Sequence, residues 1–355
     1  MNRREMLGTL AGATSAALLG GAARARAAEA PERCSLGVCI YCLGFRNRFE
    51  REQGRTDFFD PVNFLDHCHK LGAGGIQTPL GVRDAKYTAE LRRRAEQHGM
   101  FVEGIAGLPH QPGAVEQFDA QIRTAQAAGA RAVRVVMMPG RRYERFESAE
   151  ELREFAERGR KALELAEPVA AKHKVPLALE NHKDHRVPER LKLLEGLGSE
   201  YVGTCVDTGN SFALCEDPLA VVEAYAPWAF SVHLKDQGVR EYDEGFLFGD
   251  VPLGRGFLDL PKMVEVLRKA KPDVRFTLEM ITRDPLRVPC LTEKYWATMA
   301  DVPGRELART LRTVRAHAAP EPLPRVSDLT PDRQVAQEES NVRGCLAYAR
   351  EHLGL

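Results

Sequence analysis

Eight short apolar runs, each followed by a segment of helical period, predict a (β/α)8 TIM barrel with a C-terminal helical extension. Two further observations favour that closed sheet over a doubly wound open one. Open sheets of the second kind usually have fewer strands. They also often carry a glycine-rich first turn, whereas the turn after LGVCIYC here is Leu43-Gly44-Phe45-Arg46, with no GxGxxG. With 355 residues, 44% hydrophobic and 28% charged, the chain is long enough for one large domain or two small ones.

The first 28 residues are set apart. Arg3-Arg4 precede a weakly apolar Ala/Leu/Gly run, and small residues around Ala25-Arg26-Ala27 offer cleavage points. The run is too short and too weakly hydrophobic for a membrane span. Residues 1–28 therefore read as a twin-arginine signal peptide, which predicts export to the periplasm and no membrane span in the mature chain.

The strands are expected at 36–42, 75–79, 101–107, 132–138, 176–180, 202–207, 229–235 and 275–280. Helices are expected at 61–71, 86–98, 113–128, 148–173, 187–196, 217–226, 261–270 and 304–317. In 148–173, Ser148 is placed to cap the helix and Glu151 to complete a capping box. Leu152, Phe155, Ala156, Ala162, Leu163 and Val169 follow at near-helical spacing, and Pro176 lies just past the end. Two insertions, 237–260 and 281–303, interrupt the alternation on the face where barrel enzymes keep their chemistry; the first reads as a hairpin or lid. Residues 34–318 thus form the barrel. Residues 319–355 form a proline-rich linker and a helix from about 331, whose stripe Val335, Val342, Leu346, Ala349 and Leu353 is suited to packing on the barrel or on another subunit of a homo-oligomer.

Eight cysteines include Cys39 and Cys42 at C-x-x-C spacing, within what reads as an apolar strand. Strand geometry would put them on opposite faces, so buried free thiols are expected rather than a redox or zinc pair. The leader holds four arginines against one glutamate, which leaves a formal −3 on the rest of a chain whose total is zero. Dispersed, mildly acidic charge argues against nucleic acid as a partner.

The chemistry gathers at four successive strand ends. Glu180 closes LALE, Asp207 closes CVD, His233 lies in SVHLKD and Glu279 in TLEM. In a closed barrel those ends converge on one rim. Three carboxylates and an imidazole suit one divalent ion of the Mn, Mg, Co or Zn kind, whereas a structural zinc site favours thiolates.

The order Glu, Asp, His, Glu in LALENH, CVDTGN, SVHLKD and TLEM resembles the xylose-isomerase-like barrel superfamily, and within it the sugar phosphate isomerase/epimerase group. The resemblance implies a divalent metal held by Glu180, Asp207, His233 and Glu279, and a small carbohydrate substrate. It also implies that Glu180 and Glu279 act as acid and base, removing and returning a proton beside a carbonyl through an enediolate. One position departs from the pattern: epimerases of the group commonly have histidine three residues after the strand-6 aspartate, and here it is Asn210, which cannot transfer a proton. A lyase or dehydratase of keto-sugars or 3-keto-glycosides, using the same carboxylates, is the alternative. His182, two after Glu180, is expected to contact substrate or support the ligands. Lys235, two after His233, is expected to orient a sugar hydroxyl or anion, or to pair with Asp184 or Asp207. His110, Gln77, Arg283 and Trp296 are pocket candidates by position, and His67, His69, His98, His173 and His185 are expected at the surface.

Overall fold

The computed structural model describes residues 33–355; the predicted signal peptide lies outside the described residues. The strands are β1 (Gly37–Cys39), β2 (Gly75–Pro79), β3 (Phe101–Ile105), β4 (Val133–Val135), β5 (Leu177–Glu180), β6 (Val202–Asp207), β7 (Ala229–Leu234), β8 (Asp236–Tyr242), β9 (Gly245–Val251), β10 (Phe276–Leu278) and β11 (Leu286–Val288). β1 to β7 and β10 close a parallel barrel in the order β1-β10-β7-β6-β5-β4-β3-β2. The other three make an antiparallel sheet, β11-β9-β8, from the two insertions, so the predicted hairpin is present.

The larger helices are α1 (Gly44–Glu52), α2 (Pro61–Leu71), α3 (Ala85–His98), α4 (Val115–Ala127), the short α5 (Arg142–Arg145), α6 (Ala149–His173), α7 (Val187–Leu197), α8 (Pro218–Tyr225), α9 (Leu260–Ala270), the short α10 (Glu293–Trp296), α11 (Gly304–Ala316) and α12 (Pro331–His352). Their starts are chemically marked. Asp60, Asp84, Asp217 and Asp259 each accept a backbone N–H in the first turn of α2, α3, α8 and α9. Ser148 caps α6 as expected, although Glu151 reaches back to the N–H of Glu147, one residue beyond the cap. At the amino end of the barrel the Phe101 ring fills the space beside Gly37 and Gly75. A Cβ on either would lie 2.5 or 2.4 Å from that ring.

The first strand is shorter than predicted. β1 ends at Cys39, a 3-10 turn covers Ile40–Leu43, and α1 follows where a plain loop was expected. Cys39 and Cys42 therefore do not lie on opposite faces of one strand. Both are fully buried: the Cys42 thiol donates to the Leu278 carbonyl at 3.1 Å, and all eight cysteines are buried free thiols. Two histidines expected at the surface, His173 at the end of α6 and His185 on the loop after β5, are also buried, because these side chains turn inward to Asp119 and toward Asp184. Among the described residues no helix is long and apolar enough to cross a membrane.

The reason α1 forms lies nearly three hundred residues away. Its N-terminus has no side-chain cap of its own. Glu338 of α12 supplies one, accepting the N–H groups of Phe45 and Arg46 at 2.8 Å each. Val342, Leu346 and Ala349 of the same helix lie in the main core, so the apolar stripe is spent on the barrel. Burial pushes the Glu338 carboxyl up to about 7, against those N–H groups and the Arg46 guanidinium. The folded value exceeds the ordinary 4.5. Stabilisation from this group is therefore complete below the ordinary value and is lost as pH rises through about 7. Thermal unfolding between pH 5 and 8 should show stability falling with pH by up to roughly 3 kcal/mol from this source. Glu338→Gln should flatten that slope; an unchanged slope would refute the assignment.

Candidate metal centre at the carboxyl rim

The four strand-end residues meet. One ligand-competent atom from each of Glu180, Asp207, His233 and Glu279 lies within 4.8 Å of the others, and none of the four is more than 4% exposed. Strand register brings this about. Asp207 pairs with His233 across β6 and β7, His233 with Thr277 of β10, and Glu180 sits beside Cys205. His233 Nδ1 is 3.4 Å from Glu279, 3.6 Å from Glu180 and 3.9 Å from Asp207.

His233 Nδ1 is buried in this group without a hydrogen-bond partner, and Asp207 Oδ2 is met only by the Lys235 ammonium, 2.9 Å away. Buried polar atoms are rarely left so. Their orientation is nevertheless tightly held. His233 Nε2–H donates to Gln77 Oε1 at 2.7 Å, while Gln77 Nε2 donates to the carboxylate of Glu103 at 2.9 Å. That relay leaves Nδ1 facing the three carboxylates, the arrangement in which a histidine binds metal through one nitrogen and is oriented through the other. Asp207 Oδ1 accepts the N–H groups of Gly209 and Asn210, so Oδ2 turns inward. Asn181 holds the same strand end through Asp207 N and O. Three carboxylate oxygens and one imidazole nitrogen could hold a single divalent ion, and the unpartnered Nδ1 fits that use.

The negative charge is balanced from two sides. Arg134 of β4 pairs with Glu180, and Lys235 reaches Glu279 while its Nζ lies 2.9 Å from Asp207 Oδ2. Burial alone would raise the Glu180 and Glu279 carboxyls. Arg134 and His233 overcome it for Glu180, and Lys235 and His233 overcome it further for Glu279, so both lie below the ordinary value. Asp207 goes the other way, to about 6, because burial and the two glutamates outweigh Lys235. His233 is raised despite burial by Cys205, Glu279 and Glu180.

The expected neighbours divide. Asn210 belongs to the group: its Nδ2 donates to Glu180 Oε1 at 3.1 Å. Lys235 takes the Asp207 pairing and not Asp184, which is bound by Arg190. His182 lies past the end of β5, so the strand does not carry it onto Glu180's face; it is largely enclosed, its Nδ1 is unpartnered, and burial pushes it down to about 4. Gln77 is in the site, as the support of His233. Arg283 instead ties the rim to the hairpin through Asp250 of β9 at 2.9 Å. His110 is exposed on the loop after β3, and Trp296 donates to the Cys290 carbonyl. Arg134, Glu103 and Lys183 escaped the sequence reading. A charged residue inside an apolar run, as in AVRVV and FVEGI, was the available signal for the first two.

A closed parallel barrel whose polar centre stands at the carboxyl ends of its strands is the build of a barrel enzyme. The chain belongs to the xylose isomerase-like TIM barrel family, whose model matches residues 65–302. Among solved structures it is similar to an L-ribulose 3-epimerase, at a TM-score of 0.54 and 15% identity, covering 90% of this chain and 94% of the other. A D-psicose 3-epimerase in the presence of D-fructose gives 0.54 and 12%, covering 82% and 93%. A 3-keto-D-glucoside 4-epimerase from E. coli gives 0.52 and 14%, covering 80% and 100%. At these identities the likeness is one of fold. Among curated proteins, a 3-oxo-isoapionate decarboxylase of Pectobacterium atrosepticum is 25% identical over 114 residues, 32% of this chain and 42% of that protein. The match thus spans about two fifths of that relative's length.

The β5 loop that carries the site is stapled by Arg190, which is fully buried. It donates to both oxygens of Asp184, at 2.8 and 2.9 Å, and to the Glu180 carbonyl at 3.1 Å. Arg190→Met would strand the Asp184 carboxylate, held far below the usual range by that guanidinium against burial. Urea unfolding should show a loss of about 3–5 kcal/mol; a loss below about 1 kcal/mol, as for an exposed pair, would contradict the staple.

Proposed function

We propose that this protein is a divalent-metal-dependent isomerase or epimerase of a small sugar, transferring a proton at the carbon beside a carbonyl. The observation that carries this reading is the buried, unpartnered His233 Nδ1, which faces Glu180, Asp207 and Glu279. Glu180, Asp207, His233 and Glu279 would hold the ion, which when bound polarises adjacent sugar oxygens and makes the intervening C–H more acidic. Glu180 and Glu279 are the carboxylates available to take that proton and return it. Arg134 and Lys235 keep the pair anionic before the proton moves and neutralise charge that develops on the sugar oxygens. The buried His233–Gln77–Glu103 line holds the imidazole still while protons move around it.

A second reading rests on Asn210. It touches Glu180 but carries no transferable proton, so proton return on that side falls to the glutamate alone. Abstraction followed by departure of a leaving group, in a lyase or dehydratase of a keto-sugar or 3-keto-glycoside, needs no return. The curated relative is by name a decarboxylase. Residues 1–28 further support a proposal of export by the twin-arginine route, which fractionation of cells expressing the tagged full chain would test.

Incubation of manganese-loaded protein with ketopentoses and ketohexoses in deuterated water should incorporate deuterium without loss of mass, read by NMR and mass spectrometry. An unsaturated or shortened product would select the lyase. Glu180→Gln and Glu279→Gln should each lower exchange by at least about 100-fold while sugar binding survives. Dialysis against a chelator should abolish exchange, and exchange that persists would overturn the reading. Gln77→Leu, which frees the His233 Nε2–H, should weaken manganese binding by about 10- to 100-fold in direct titration.

A further inference from the structure

Lys183 is a buried ammonium group without a counter-ion. It lies three residues beyond Glu180, is 3% exposed, and is fixed by its backbone, whose carbonyl accepts the Arg142 N–H at 2.9 Å. Its Nζ donates to Asn210 Oδ1, a neutral amide oxygen. Among the described residues no carboxylate comes within ion-pair distance of it. The surrounding cations are all matched: Arg134 by Glu180, Lys235 by Asp207 and Glu279, Arg190 by Asp184, Arg142 by Glu189, and Arg283 by Asp250.

A second ammonium points at the same oxygen. Lys235 Nζ lies 3.5 Å from Asn210 Oδ1. Two cations thus converge on one amide that itself touches Glu180. Leaving a buried charge unpaired is among the more costly things a fold can do. Burial, with Lys235 and Arg283, pushes Lys183 down to about 8 against the pull of Asp207 and Asp250, neither of which pairs with it, and this still leaves it mostly charged at neutral pH.

We propose that Lys183, with Lys235, receives a carboxylate of the substrate, so that the site takes a keto-sugar acid and not a neutral sugar. The inference deepens the proposed function and relies on it for the sugar. A single unbalanced ammonium matches the single charge of a carboxylate; a phosphate ester, with nearly two charges, would leave one unmatched.

The test is binding, measured by calorimetry on manganese-loaded full-length protein. D-gluconate, its neutral isostere D-gluconamide and D-glucitol 6-phosphate are the probes. Gluconate should bind at least about tenfold more tightly than gluconamide. Lys183→Met should erase that preference, and Lys183→Arg should keep most of it. Because the ammonium is unpaired, Lys183→Met should leave the melting temperature unchanged or raise it. Equal binding of acid and amide, a preference that survives Lys183→Met, tighter binding of the phosphate ester, or a large fall in melting temperature would each overturn the proposal. If these results fail while neutral sugars exchange protons with metal present, the proposed function stands alone. If gluconate binding depends on Lys183 but no sugar undergoes metal-dependent exchange, the carboxylate site stands and the proposed function falls.

Discussion

Burying three carboxylates and an imidazole within 4.8 Å of one another is possible only if their charge is answered from the protein side. Arg134 and Lys235 do this from opposite flanks, one rising from β4 and one following β7. Neither neutralises the group completely. His233 Nδ1, directed inward, has no hydrogen-bond partner, so the centre is balanced enough to fold and still incomplete. The other features of the rim can be understood as consequences of that incompleteness.

A centre of this kind has to be rigid, because its members would otherwise relax toward one another and satisfy themselves. The loops around it are accordingly pinned by buried polar contacts. Arg190 grips the β5 loop through Asp184 and the Glu180 carbonyl, and Arg142 bridges that loop to α7 and Thr298 through five hydrogen bonds. Asp236 gathers the N–H groups of Gln237, Gly254, Gly256 and Leu258 at the base of the hairpin. Gly256 is needed there, since a Cβ would lie 2.1 Å from the Asp236 carboxylate. Asn181 does the same for Asp207. These residues touch no substrate in the proposed chemistry, yet they hold the reacting groups at fixed separations.

The relay through Gln77 and Glu103 extends this rigidity into the barrel interior. Cys39, Gln77 and Glu103 stand in register on β1, β2 and β3, opposite the ligand-bearing strands. One half of the barrel thus presents the candidate ligands and the other half orients the histidine among them. Lys183 and Asn210 join the same centre through hydrogen bonds that run from the ammonium to the amide and from the amide to Glu180.

Periodicity and strand-end chemistry carried much of this protein in the sequence itself. The eight barrel strands fall within a few residues of their expected places because apolar runs bounded by caps and prolines leave few alternatives. Glu180, Asp207, His233 and Glu279 were legible because a closed parallel barrel brings every strand's carboxyl end to one rim. The tertiary structure alone decided the rest. α1 forms because Glu338, distant in sequence, caps it, so no local pattern announced it. Arg134 and Glu103 matter through neighbours on other strands, and Lys183 through the absence of one; hydrogen bonds and counter-ions between remote segments leave no periodic trace along the chain. Local pattern specifies which way a side chain faces, and only the closed sheet specifies what it faces.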